Sequence, residues 1–190
     1  MPQAISFPVR ERWESVSGLI ESPKAFSLPA FHRLLLTAGG TLTSTLYALL
    51  SSPVRIQVVR QEITASDPDT GRFLEIGDHE KGIHREVWIT GDQGDKLVYA
   101  SSFISLGGLN PHLHEALLSR QVSLGDLLDR MRLASLRDRM GFGTLQSEFL
   151  SPEFRVDPAS ELWYRHFRLN VPNQLLASIY EVFSPHLLGI

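Results

Sequence analysis

The chain has 190 residues, a length that suits one domain able to bury a real core. Its 43% hydrophobic and 21% charged content fits a soluble globular protein, and a net charge of −3 with no Lys/Arg-rich run argues against nucleic-acid binding. The absence of cysteine excludes a disulfide scaffold, a thiolate metal site and a Cys nucleophile.

Residues 1–26 carry Pro2, Pro8 and Pro23 and little periodicity, so an irregular N-terminal arm is expected there. The arm has no apolar h-region, and no apolar run approaches the ~20 residues of a membrane span. A soluble, cytoplasmic protein is expected. The segment "SLPAFHRLLLTAGG" predicts a helix with Ser27 as N-cap, Pro29 in the first turn and a stripe of Leu28, Phe31, Leu34 and Leu35, stopped by Gly39-Gly40. "TLTSTLYALLSS" predicts a second, with Leu42, Leu46, Leu49 and Leu50 on one face.

"PVRIQVVRQEI" alternates and is rich in β-branched residues, so it predicts a strand. "ASDPDTGRFLEIGDHEKG" predicts a loop with a short strand at Phe73–Ile76. "HREVWIT" and "KLVYASSFISL" predict a hairpin across "GDQGD". "NPHLHEALLSR" predicts a short helix. "VSLGDLLDRMRLASLRDRMG" predicts a longer one, with Ser123 and Asp126 spaced as a capping box. "TLQSEFL" is read as a further strand, and "ELWYRHFRLNV" and "QLLASIYEVF" as a closing hairpin through "VPN". Strands that follow one another through hairpins give an α+β fold, a mostly antiparallel sheet with helices packed on it, in a single domain over 1–190.

Three charges break the strand alternation. Glu181 shares a face with Leu175, Ala177, Ile179 and Phe183. Arg60 shares one with Val54, Ile56 and Val58, and Arg85 with Val87 and Ile89. A lone buried charge costs several kcal/mol, so each must be paired, hydrogen-bonded or facing a ligand. A bulge can flip the register, an arginine can snorkel at a strand end, or an arginine can simply pair with Glu181. The alternative is a shared pocket, with a guanidinium fork for a carboxylate and an acidic group for a proton or hydroxyl.

Other signals are weaker. His112 and His114 at i,i+2 do not share a helix face, which argues against a zinc pair. The "GGT" at 39–41 offers backbone N–H groups to an anion, or only stops one helix and caps the next. Ser101 and Ser102 lack a nucleophile elbow, and "RDRMGFGTL" lacks the strand and helix of a dinucleotide fingerprint.

Four segments in series, "LLLTAGGTLTSTLYALL", "HREVWITGDQGDKLVYASSFI", "VSLGDLL" and "LWYRHFRLNV…LLASIYEVFSP", resemble the chorismate pyruvate-lyase family (4-hydroxybenzoate synthases), and more closely its divergent branch. The resemblance covers roughly 30–186. It implies an antiparallel sheet with helices closing over an internal aromatic-acid site. It implies conversion of chorismate to 4-hydroxybenzoate and pyruvate without metal or organic cofactor. The product is implied to supply a quinone head group (ubiquinone or plastoquinone) or an aromatic glycolipid. Carried over by position, the family's carboxylate-gripping arginine matches Arg85, and its glutamate at the hydroxyl end of the product matches Glu181. Backbone contacts match Leu124 in "LG" and, more loosely, Leu42 in "GTLT"; Arg60 aligns with an arginine on the preceding strand, a candidate for the enolpyruvyl carboxylate. The tail departs, with "EVFSP" in place of a longer proline-ended run. Glu181 either takes the ring proton or only positions the ring. A monomer is expected, with a dimer left open.

The rival expectation is a non-catalytic domain of the same fold, such as the effector-sensing domains of some bacterial regulators, that binds an aromatic acid without chemistry. Those domains follow a winged helix. The stretch before the resemblance, up to residue 29, is short for one.

Overall fold

The computed structural model of the chain describes residues 9–119 and 122–188. In chain order, β1 (Val9–Trp13), α1 (Val16–Glu21), α2 (Pro23–Phe26), α3 (Ala30–Thr37) and α4 (Leu42–Leu50) precede the long strand β2 (Arg55–Ala65). Then follow α5 (Pro68–Leu74), β3 (Lys81–Thr90), β4 (Lys96–Ser105), α6 (Pro111–Leu118) and α7 (Leu124–Arg130). The chain continues with β5 (Leu136–Leu145), α8 (Leu150–Glu153), β6 (Leu162–Val171), β7 (Leu175–Phe183) and a 3-10 turn at Pro185–Leu188.

The seven strands form one sheet in the order β1-β5-β6-β7-β4-β3-β2, every pair antiparallel. This is the expected α+β architecture, and both predicted hairpins, β3–β4 and β6–β7, are present. Strict alternation divides the side chains between two faces. One face packs Ile89, Val98 and Phe183 against Leu35, Leu36, Leu42 and Leu46 of α3 and α4. The same face packs Ile104, Phe167 and Ala177 against Leu113, Leu117, Leu127 and Leu128 of α6 and α7. On the opposite face Trp88, Tyr99, Tyr164 and Val182 pack with Leu150 and Phe154 at α8.

Five expectations need correction. The described part of the arm is ordered: β1 extends the sheet by pairing with β5, Ser15 caps α1 by accepting from the Gly18 N–H (3.0 Å), and Pro23 starts α2 at a position where no N–H is needed. Residues 1–8 lie outside the described residues. Ser27 does not cap α3, whose N-cap is Pro29; its hydroxyl instead donates to the Lys24 carbonyl, 2.6 Å, at the end of α2. The buried stripe of α3 is His32, Leu35 and Leu36, while Leu34 is exposed.

The third correction is α5, in the predicted loop. Asp67 caps it by accepting from Asp69 and Thr70 (2.9 Å each), Pro68 occupies its first turn, and Glu75 ends it at φ 61. Fourth, the long helix is split. Arg132 turns left-handed (φ 55), its N–H donates to Asp129 and the Leu133 N–H to Leu128. That pair of bonds is a Schellman closure. It frees "LRDRMG" to become β5. Fifth, "TLQSEFL" is not a separate strand: Thr144 and Leu145 end β5, and Ser147 then accepts from the Leu150 N–H (3.1 Å) at α8.

Candidate functional site

On the helix-facing side of the sheet, one cross-strand row reads Val87, Ala100, Glu181, Arg165, and the next reads Arg85, Ser102, Ile179, Phe167. The residues on the interior strand β4 are both small. Larger side chains there would fill the space above them. Instead a cavity, partly open to solvent, lies between sheet and helices. Ile56, Val87, Ile89, Phe167, Leu169 and Ile179 give it apolar walls, and Arg85, Arg137, Glu181 and Ser102 put polar groups into it.

The starts of α4 and α7 form the opposite wall, with Thr41, Leu42, Thr43, Ser123, Leu124 and Gly125. Two hydrogen bonds tie them together: Thr41 Oγ1 donates to Asp129 Oδ2 and Thr43 Oγ1 to Asp126 Oδ1, both at 2.7 Å. Gly125 allows this approach, since a Cβ there would lie 2.5 Å from Thr41 Cγ2. Ser123 caps α7 by accepting from the Asp126 N–H (2.9 Å), as its spacing predicts. Leu42 and Leu124 each open a helix, where backbone N–H groups lack intrahelical acceptors.

Arg85 is 3% exposed. Its Nη2 donates to the Val122 carbonyl (2.7 Å), while its buried Nε has no partner. No carboxylate among the described residues lies within ion-pair distance of it. Burial pushes its pKa down. Glu181 is also buried, two strands and two residues away: ~10 Å across the sheet and ~7 Å along it. It is ion-paired with Arg165 Nε. Arg165 Nη1 further donates to the carbonyls of Leu35 (2.8 Å), Leu36 (3.3 Å) and Ala38 (3.0 Å) at the end of α3. The guanidinium also lies against Phe167 and Phe183.

Of the five residues read from the sequence, Arg85, Glu181, Leu42 and Leu124 all line this cavity. Arg60 does not. The β2–β3 register runs Ile56–Ile89 and Val58–Val87, then slips, so that Arg60 pairs with Glu86 on the other face. Val59, the extra residue of this bulge, is half exposed. Arg60 bridges Glu62 and Glu86, the latter at 3.5 Å. His84 Nε2 is 3.6 Å from Glu86 and 3.2 Å from Ser101 Oγ. Both partners meet the same ring nitrogen, so the cluster cannot relay a proton as a Ser-His-acid set does.

Arg165 and Arg137 were missed. Arg165 carries the same signal as the others, sharing a strand face with Trp163, Phe167 and Leu169 in "LWYRHFRL". Arg137 was hidden inside the segment read as helix, although it lies on β5.

No helix among the described residues is long and apolar enough to cross a membrane. No curated protein sequence matches the chain. Among solved structures, it is similar to the effector domain of PhnF from Mycobacterium smegmatis, with TM-score 0.62 and 12% identity over 77% of this chain and 89% of that one. It is also similar to the ligand-binding domain of a GntR-family regulator from Bordetella bronchiseptica (TM-score 0.57, 11% identity, 68% and 85% covered). A GntR-family regulator from Bacillus cereus matches at TM-score 0.54 and 9% identity, covering 70% and 92%. At these identities the likeness is one of fold. The family model described as "Chorismate pyruvate-lyase Rv2949c-like" matches residues 36–189, and the chain belongs to that family.

Proposed function

We propose that the protein is a chorismate pyruvate-lyase, forming 4-hydroxybenzoate and pyruvate in the cavity between the sheet and the starts of α4 and α7. One observation carries this reading beyond family membership: a buried arginine without an ion-pair partner stands across an apolar hollow from a buried carboxylate. The separation suits one six-membered ring carrying a carboxylate at one end and a hydroxyl at the other.

In the reaction the ring C–O bond to the enolpyruvyl group and the C–H bond on the neighbouring carbon both break. The C–H pair becomes the last double bond of the aromatic ring, the C–O pair leaves with the enolpyruvate oxygen, and a proton equivalent to the one lost from the ring adds to the methylene carbon to give pyruvate. Aromatisation drives this step, so the protein's task is orientation and charge stabilisation. Arg85 holds the ring carboxylate with its free Nε and remaining Nη, a fork matched to that group. Glu181, fixed by Arg165, accepts the hydrogen bond of the ring hydroxyl. The N–H groups opening α4 and α7 at Leu42 and Leu124 add donors beside the carboxylate. Val87, Ile89, Phe167 and Ile179 give the ring an apolar bed. The product then serves as an aromatic head group.

The test is purified protein with chorismate, measuring both products by chromatography. Equimolar 4-hydroxybenzoate and pyruvate, formed well above the spontaneous rate, support the lyase. Unchanged chorismate with tight 4-hydroxybenzoate binding supports the rival reading, a non-catalytic binding domain, which the fold shared with regulator ligand-binding domains favours.

A further inference from the structure

The cavity holds more positive charge than one carboxylate ligand requires. Glu181 is its one acidic lining residue, and Arg165 already engages that carboxylate. Arg85 and Arg137 remain. Arg137 is half-buried, its Nη1 donates to the Gly39 carbonyl, and its Nε is buried without a partner. Its guanidinium lies 5.6 Å from the centre of the Phe167 ring, on the cavity wall. Asp129 and Glu181 attract it, but neither is within 4 Å, so among the described residues Arg137 has no ion pair. Burial lowers its pKa, with Glu181 acting in the opposite sense.

A guanidinium buried or half-buried without an ion pair is costly, and two in one cavity call for two anionic groups on the ligand. We propose that Arg137 is the second anion anchor, which makes the site selective for a ring ligand with two carboxylates over one with a single carboxylate. This rests on the lyase reading for the ligand's orientation. With the ring carboxylate on Arg85 and the hydroxyl on Glu181, the ether side chain of chorismate projects from the carbon next to the hydroxyl. Its carboxylate then lies on the Glu181 side of the ring, and Arg137, on β5 two strands beyond β7 as seen from Arg85 on β3, lines the cavity on that side. Arg137 takes the role for which Arg60, which faces away, is the candidate from the sequence. The arrangement also separates substrate from product: once pyruvate has left, 4-hydroxybenzoate makes no use of Arg137.

The test compares two probes by equilibrium titration on wild type, Arg137→Met and Arg137→Gln, with thermal melts to verify folding. One probe is 4-hydroxybenzoate. The other is 4-hydroxybenzoate bearing a carboxymethoxy group at the adjacent ring carbon, a stable dicarboxylate. Loss of one charge-assisted contact should weaken the dicarboxylate by about 30-fold and 4-hydroxybenzoate by about threefold or less. The Gln variant keeps a donor for Gly39, so it separates anion binding from support of the α3–α4 connection. Equal losses for both probes, or none for either, overturn the inference even if chorismate is turned over. A selective loss for the dicarboxylate in a protein that does not turn over chorismate upholds the inference and removes the lyase reading.

Discussion

Arg165 and Glu181 are register partners on β6 and β7 and form a buried ion pair, and the same guanidinium closes the carbonyl end of α3. One side chain thus fixes both the acidic group of the cavity and the helix leading to its α4 wall. Arg165→Met would leave a buried carboxylate unpaired and three carbonyls without that donor, at a cost of about 3–5 kcal/mol. Thermal denaturation should show a fall of about 10 °C or more. Arg165→Lys should recover little of this, since an ammonium cannot reach the carboxylate and the helix end with one planar fork.

Arg85 predicts the opposite balance. It is buried without a counter-charge, so removing it relieves an unfavourable burial while removing the proposed carboxylate grip. Arg85→Met should melt within about 3 °C of wild type, or above it. Its affinity for 4-hydroxybenzoate should fall about 100-fold or more in calorimetric titration.

The hollow exists because β4 carries Ala100 and Ser102 between Arg85 and Glu181. Ser102→Leu should fill it, lowering 4-hydroxybenzoate affinity by about tenfold or more through lost space, with the sheet intact by circular dichroism. The same substitution at Ser101, on the opposite face, should leave ligand affinity unchanged.

Acid sensitivity is assigned in part to a residue outside the cavity. His32 on α3 is buried, neither ring nitrogen has a partner, and burial lowers its pKa to about 4. The unfolded chain takes up that proton near pH 6.5, so stability rises with pH across the window from about 4 to 6.5 and is lost as pH falls through it. At pH 5 the loss from His32 is about 2 kcal/mol. Denaturant titrations of His32→Leu at pH 7 and pH 5 should show a smaller drop between the two than wild type.

Much of the site was legible in the sequence because strand alternation is a strict rule. Arg85 and Glu181 stood out as charges on apolar faces, and both enter the cavity. The same rule failed for Arg60, because a bulge at Val59 inserts one residue and reverses the facing of everything beyond it. Periodicity cannot see a bulge. Arg137 was lost to the opposite error: "LLDRMRLASLRDRMG" keeps a helix-like composition through the point where Arg132 turns left-handed and the chain starts β5. The helix α5 was concealed by the turn-forming look of "SDPDTG", although Asp67 and Pro68 are also a start signal. Nothing local announced β1, since an edge strand of five residues depends on its partner β5 for its hydrogen bonds.

On the proposed reading, Arg85 and Glu181 hold the two ends of chorismate during turnover. The most direct measurement is kcat/KM for chorismate in wild type, Arg85→Met and Glu181→Gln under one set of conditions, with melts confirming that each is folded. Turnover by wild type and a loss of about 100-fold or more in each variant are expected. Folded variants that both retain the wild-type kcat/KM would contradict that reading.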